Sequence, residues 1–265
     1  MTALTTPFGF SSTAADVVDG IDLTGRRAVV TGASSGIGAE TARALAATGA
    51  EVTLAVRDLA AGERVAKDIT ATTGNEQVHV GRLDLTDLGS VAAFAAAWQG
   101  PLHILVNNAG VMACPEQYTD QGREWQFATN QLGHFALATG LHGALSADGN
   151  ARVVVVSSTG HQQSPVVWDD VDFDFRPYDP WLAYGQSKTA NALMSGAIYT
   201  NLQRHTGGRG SGKIPAELIK TVGAGRRHLH APRHLTPAGG NRRRPRQRAA
   251  TVDPLGGAAR EGCVN

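Results

Sequence analysis

From residue 25 onward the apolar positions alternate between two rhythms. Short, nearly unbroken runs rich in β-branched residues stand at Ala28 to Val30, Glu51 to Val56, Val78 to Gly81, His103 to Asn107 and Arg152 to Ser157. Runs of this kind predict strands buried on both faces. Between them, apolar residues recur three and four positions apart over Thr41 to Thr48, Ala60 to Ala71, Leu88 to Gln99 and Gln121 to Leu145, and again from Trp181 to about Arg204. That spacing predicts helices. Strand alternating with helix implies an α/β fold with a doubly wound parallel sheet, in which ligands bind outside the carboxyl ends of the strands.

The rhythm also divides the chain. Residues 1–24 are rich in Thr and Ser, with one helical turn expected at Ala14 to Val18, and are read as an arm on the domain. Residues 25–205 carry the alternation. Residues 206–265 contain Gly207-Gly208-Arg209-Gly210 and Asn241-Arg242-Arg243-Arg244-Pro245-Arg246 and little periodicity, so poor order is expected there.

Charge sharpens that division. The net charge of +1 hides a split: 11 Lys and Arg against 20 Asp and Glu in residues 1–200, but 13 against 3 in residues 201–265. A basic tail can bind nucleic acid through phosphates, but basic segments are more often only solvated, and nucleic acid is not expected as a partner. Cys114 and Cys263 are far apart and form neither a disulfide framework nor a zinc motif, which fits a reducing, cytoplasmic setting. The N-terminus lacks the basic and apolar regions of a signal peptide, and no apolar run approaches the length of a membrane span.

Candidate chemistry collects at the strand ends. The first strand runs into Thr31-Gly32-Ala33-Ser34-Ser35-Gly36-Ile37-Gly38 and then a helix. Glycines there let backbone N–H groups and the helix dipole face a pyrophosphate, although the spacing departs from Gly-x-Gly-x-x-Gly. After the second strand, Arg57 would meet a ribose 2′-phosphate, while Asp58 is either a 2′-hydroxyl acceptor or a helix cap. Asp84, after the third, either faces an adenine edge or caps a helix. Asn107-Asn108-Ala109-Gly110 ends the fourth strand, where the small residues permit close approach of a flat ring. Ser157-Ser158-Thr159-Gly160 ends the fifth. Tyr184 and Lys188 lie one helical turn apart and share a face. A free tyrosine titrates near pH 10, at about 10. A nearby ammonium favours the phenolate and makes a better acid/base, although an isolated Tyr-x-x-x-Lys is more often a surface pair.

Taken in order, these motifs resemble the short-chain dehydrogenase/reductase family over roughly residues 25–204. The retinol-dehydrogenase-like branch and the related chloroplast-translocon oxidoreductase look nearest, through Phe8 to Ala14, Gly20-Ile21-Asp22, Thr129-Asn130-Gln131-Leu132-Gly133-His134-Phe135 and Tyr178 to Tyr184. The resemblance implies a Rossmann fold and a role for each matching residue. Tyr184 would exchange the proton with the substrate oxygen, Lys188 would favour its phenolate and bind the nicotinamide ribose, Ser158 would hold the substrate oxygen, and Asn130 would support a water leading to solvent. Gly32, Ser34, Gly36, Ile37 and Gly38 would cradle the pyrophosphate. Asp84 and Leu85 would face adenine, and Asn107, Ala109 and Gly110 would flank the ribose and ring. Val56 stands where NAD-preferring relatives carry an acid. Together with Arg57 this favours NADP, with NAD as the alternative. No metal is implied. The expected activity is interconversion of an alcohol and a carbonyl on an apolar small molecule; the competing reading is a cofactor-binding but catalytically impaired protein, either a redox-sensing module or a truncated or frameshifted product. A homodimer or homotetramer is the default for relatives.

Two departures qualify the resemblance. Ser158 precedes Tyr184 by 26 residues, and the segment His161 to Trp181 that fills the interval either walls an apolar substrate site or merely packs. Residues 206–265 show neither the sixth strand ending in Pro-Gly nor the seventh strand of the family. Their Arg, Gly, Pro and His content suits a frameshift near Thr206.

Overall fold

The structure is a computed structural model, and it describes residues 6–9 and 11–194 together with the short strands Ala197–Ile198 and Ile219–Lys220. Five strands, β1 (Arg27–Thr31), β2 (Glu51–Val56), β3 (Val78–Arg82), β4 (Ile104–Asn107) and β5 (Arg152–Val155), form one parallel sheet in the order β3-β2-β1-β4-β5. Chain direction from β1 runs outward to β3 on one side and to β5 on the other. The switch between β1 and β4 is where such a sheet opens a crevice. Ala197–Ile198 pairs in parallel with Ile219–Lys220 apart from this sheet. Among the described residues, β5 pairs with β4 alone, and Val153 and Val154 are exposed.

The strands are apolar throughout because both faces are covered. Ala28 and Val30 of β1 point into a core with Ala42, Ala46, Leu54 and Ile69, whereas Val29 between them points into a second core with Leu102, Leu105, Leu137 and Leu141. This is the period-two alternation of a strand buried twice. The helices α2 (Gly36–Ala47) and α3 (Leu59–Thr73) cover the first face; α4 (Leu88–Ala97) and α6 (Gly133–Gly140) cover the second. Gly62 of α3 is required by closeness: a Cβ there would lie 2.7 Å from Val56 and 2.8 Å from Val80. The expected single turn is present as α1 (Ala14–Val18), closed by a Thr13–Asp16 capping box.

Two expected elements are corrected. The helix foreseen from Gln121 to Leu145 is broken into α5 (Trp125–Phe127), a π-helical turn (Ala128–Leu132), α6 and α7 (His142–Asp148). Apolar spacing registers a helix face but not one extra residue inserted into a turn, and such π turns gather at functional sites. The helix bearing the Tyr/Lys pair, α8 (Pro180–Met194), begins where expected, but it does not continue to Arg204 as foreseen, since Ala197–Ile198 is paired as a strand; most of the basic tail and Cys263 lie outside the described residues. Cys114 is buried.

Candidate active site

The glycine turn between β1 and α2 forms one wall of a cavity of about 720 Å³ that runs along the carboxyl ends of the strands. Gly32 has φ +66°, and a Cβ on it would lie 2.8 Å from the Ala109 Cα, so β1 and the turn after β4 touch backbone to backbone. Gly38 is equally constrained, 2.5 Å from both the Gly32 carbonyl and Asn108 Nδ2 at its would-be Cβ. Gly36, at φ +55°, has open space around it.

The entry of α2 is built differently from its neighbours. Asp58 caps α3, accepting from the Ala61 N–H at 3.0 Å, and Asp87 caps α4, accepting from Gly89 at 2.8 Å. Ser35 makes no side-chain cap on α2, and no acid lies in its first turn. Thus the positive end of this helix meets the cavity without an internal anion to satisfy it. A cradle of glycines, an uncapped helix end and a cavity of this volume fit a dinucleotide.

Around the cavity the remaining candidates divide. Ser34, Ile37, Arg57, Asp84, Leu85, Ala109 and Gly110 all line it, together with Tyr184 and Lys188 at the far end. Asp84 turns one oxygen back to accept from the Thr86 N–H and hydroxyl. Asn107 does not line the cavity. It is buried beneath it, and among the described residues neither carboxamide atom has a hydrogen-bond partner. Its neighbour Asn108 lines the cavity instead, donating from Nδ2 to the Thr31 carbonyl at 2.9 Å. Successive side chains at a strand end leave on opposite sides, so only one of the two amides can face the crevice.

The catalytic candidates are assembled from three elements. Tyr184 and Lys188 are nearly buried on α8, with Lys188 Nζ 5.7 Å from the Tyr184 ring centroid and donating to the Val156 carbonyl at 3.3 Å. Burial pushes the Lys188 ammonium below its ordinary value. Ser158 lies off the cavity lining but close to it. Its hydroxyl accepts from the Gly160 N–H at 3.1 Å, and a Cβ on Gly160 would lie 2.6 Å from the Tyr184 ring and 3.4 Å from Ser158 Oγ. Glycine at 160 therefore lets the serine and the tyrosine converge. Asn130, in the π turn, is fully buried behind the site. Its carboxamide accepts from the Val111 N–H at 2.9 Å, donates to the Val111 carbonyl at 3.0 Å and donates to Ser187 of α8 at 2.9 Å. It braces the turn after β4 against α8. The end near Lys188 is apolar, lined by Val111, Met112, Trp125 and Val156.

The sequence profile described as short chain dehydrogenase matches residues 26–169, more than half of the chain. The chain belongs to the short-chain dehydrogenase family. It is 54% identical over 204 residues to a Streptomyces lividans protein named as a probable oxidoreductase, covering 70% of this chain and 68% of that one. It is 41% identical over 210 residues to human retinol dehydrogenase 11, covering 76% of this chain and 64% of that protein. The crystal structure of an uncharacterised Mycobacterium paratuberculosis protein superposes with a TM-score of 0.63 at 45% identity, covering 73% of this chain and 66% of that chain. A metagenomic short-chain oxidoreductase in complex with NADP superposes at 0.52 and 32% identity, covering 65% of this chain and 75% of that one. Among the described residues of this short-chain dehydrogenase, no helix is long and apolar enough to cross a membrane.

Sequence reasoning missed the buried polar frame of this short-chain dehydrogenase. Glu124 is fully buried and caps α5, accepting from the N–H groups of Gln126 and Phe127; Gln126 donates to Tyr178, which holds the segment before α8. Burial pushes the Glu124 carboxyl up to about 7, while burial and then the Lys188 charge act to push His134 down to about 4. The two work in opposite directions. Glu124 stabilises the fold fully below its ordinary value of 4.5, and that contribution is lost as pH rises to about 7. His134 is neutral when folded, so its contribution is present above 6.5 and lost as pH falls toward about 4. Glu124→Gln keeps the cap acceptor and removes the first term. Its stability relative to the parent should therefore climb between about pH 4.5 and 7, by up to about 1.4 kcal/mol per unit. Urea unfolding across that range reads the difference, and a constant offset would contradict it.

Proposed function

We propose that this protein interconverts an alcohol and a carbonyl on an apolar small molecule with NADP as the hydride carrier, and that residues 25–205 form the cofactor-binding and catalytic domain. One observation carries the reading: Tyr184 and Lys188 stand in the same cavity as the uncapped glycine turn, at its apolar end. NADP, when bound, supplies or takes the hydride. The residues of this chain position the reactants and move the proton. In the reductive direction Tyr184 gives its hydroxyl proton to the substrate oxygen as negative charge builds there; in the oxidative direction it takes that proton back. The Lys188 ammonium stabilises the tyrosine oxygen whenever it is left negative. Ser158 offers a hydroxyl from the adjoining turn to hold the substrate oxygen. Asn130 supports both from behind through Val111 and Ser187. Val111, Met112, Trp125 and Val156 keep water from the reacting carbon.

The glycine turn with Ser34 would take the pyrophosphate, Asp84 and Leu85 the adenine, and Ala109 and Gly110 the ribose and ring. For the 2′-phosphate the candidate is Arg57, exposed at the cavity edge beyond β2. Arg57→Ala should weaken NADPH by about ten- to a hundredfold, the worth of a hydrogen bond between charged groups. NADH should change by no more than about twofold, since it has no phosphate to lose. Titration of cofactor fluorescence measures both, and equal losses would refute the assignment.

A further inference from the structure

The motif Thr129 to Phe135 contains a histidine that the proposed reaction does not use. His134 is fully buried at the start of α6 and touches two distant parts of the chain. Its Nε2 lies 2.8 Å from the Thr31 hydroxyl at the end of β1, and its Nδ1 lies 3.0 Å from the main-chain carbonyl of Asn130. Proton counting decides the roles. The Thr31 oxygen already accepts the N–H groups of Asn108 and Ala109, each at 2.9 Å, which fills both acceptor positions of a hydroxyl. Its own proton must then be donated, and Nε2 at 2.8 Å is nearer than the Val106 carbonyl at 3.4 Å. Nε2 therefore accepts, and the ring proton sits on Nδ1, from which it is donated to the Asn130 carbonyl. Burial keeps the ring neutral and so preserves this arrangement.

We propose that His134 is a positioning residue, held as the Nδ1–H tautomer, that locks the start of the glycine turn and the Asn108-Ala109 turn to the Asn130 main chain on the Lys188 side of the site. The chain of contacts is continuous. Thr31 precedes Gly32, Ala109 abuts Gly32, and a Cβ on Gly110 would lie 3.2 Å from Asn130 Oδ1 and 3.3 Å from Lys188 Nζ. Gly133, beside the histidine, has no room for a side chain: its Cβ would meet the Leu85 carbonyl at 2.3 Å. One helix turn thus registers the ends of β1 and β4 and the loop after β3. The consequence for binding rests on the NADP reading above, whereas the tautomer does not.

Long-range ¹H–¹⁵N correlation on the full chain labelled at histidine tests the tautomer without cofactor, with the His134 signals identified by their loss in His134→Gln. A protonated Nδ1 and an unprotonated Nε2, unchanged between about pH 8 and 5.5, are expected. The Nε2–H tautomer, or titration within that range, overturns the proposal. NADPH titration then reads the coupling. His134→Ala should lose at least about tenfold in affinity. His134→Asn, whose amide can still donate to the Asn130 carbonyl, and His134→Gln, which can still reach Thr31, should each recover part of it. Equal losses in all three variants would reduce His134 to packing and overturn the coupling. Absence of NADPH binding to the parent protein would instead overturn the cofactor reading and leave the tautomer result standing.

Discussion

Tyr184→Phe should reduce turnover by about 10²- to 10⁴-fold, the usual worth of a positioned general acid/base, while changing NADPH affinity by no more than about twofold. The substitution is clean because the ring is held independently of its hydroxyl. It packs edge-on to Trp181, with centroids 6.3 Å apart, and its flank rests where a Cβ on Gly160 would fall. Removing the oxygen therefore leaves the cavity shape intact. Cofactor fluorescence gives binding, and NADPH consumption with a panel of retinoid and aliphatic carbonyl compounds gives turnover. Unchanged turnover in the variant would assign proton transfer elsewhere. Binding without turnover in the parent across the whole panel would favour a cofactor-binding protein that does no chemistry.

The second large effect is expected at Gly38→Ala. A methyl group there lies 2.5 Å from the Gly32 carbonyl, a backbone atom that cannot move alone, since Gly32 is itself at φ +66° and packed on Ala109. Either the turn opens or α2 withdraws, and both re-aim the N–H groups proposed to hold the pyrophosphate. We expect a stability loss of about 1–3 kcal/mol, the range for overpacking, from urea unfolding. NADPH affinity should fall at least about tenfold with it. Gly143→Ala is the control. It lies in α7 with nothing within 4 Å of the added Cβ and without a positive φ, so it should raise stability by about 0.5–1 kcal/mol and leave affinity unchanged. Equal behaviour of the two variants would mean that close approach at Gly38 has no role in binding.

The split between what could and could not be read in advance follows the range of each interaction. Strand and helix positions were legible because burial repeats with the local period of the backbone; β2 runs over Glu51–Val56 as its apolar run does, and Val29 alternates with Ala28 and Val30 as period two requires. The glycine turn was legible because a strand feeding a helix through positive φ needs glycine at Gly32 and Gly36. The shared face of Tyr184 and Lys188 is a property of four residues on one helix. The uninterrupted helix expected from Gln121 to Leu145 failed because the π turn at Ala128–Leu132 answers to Val111 and Ser187, which are remote in sequence. Asn107 and Asn108 are chemically identical, and only the pleat of β4 buries one and turns the other to the cavity.

By itself, then, the sequence determined the periodic elements, their α/β order, the glycine cradle and the Tyr184/Lys188 pair, since each depends on contacts within a turn or a strand. Only the tertiary structure decided which asparagine lines the cavity, that Ser158 and Tyr184 converge over Gly160, and that Thr31 meets His134 across 103 residues of chain. Those pairings depend on how the crossovers bring separate strand ends together, and no local pattern encodes that distance.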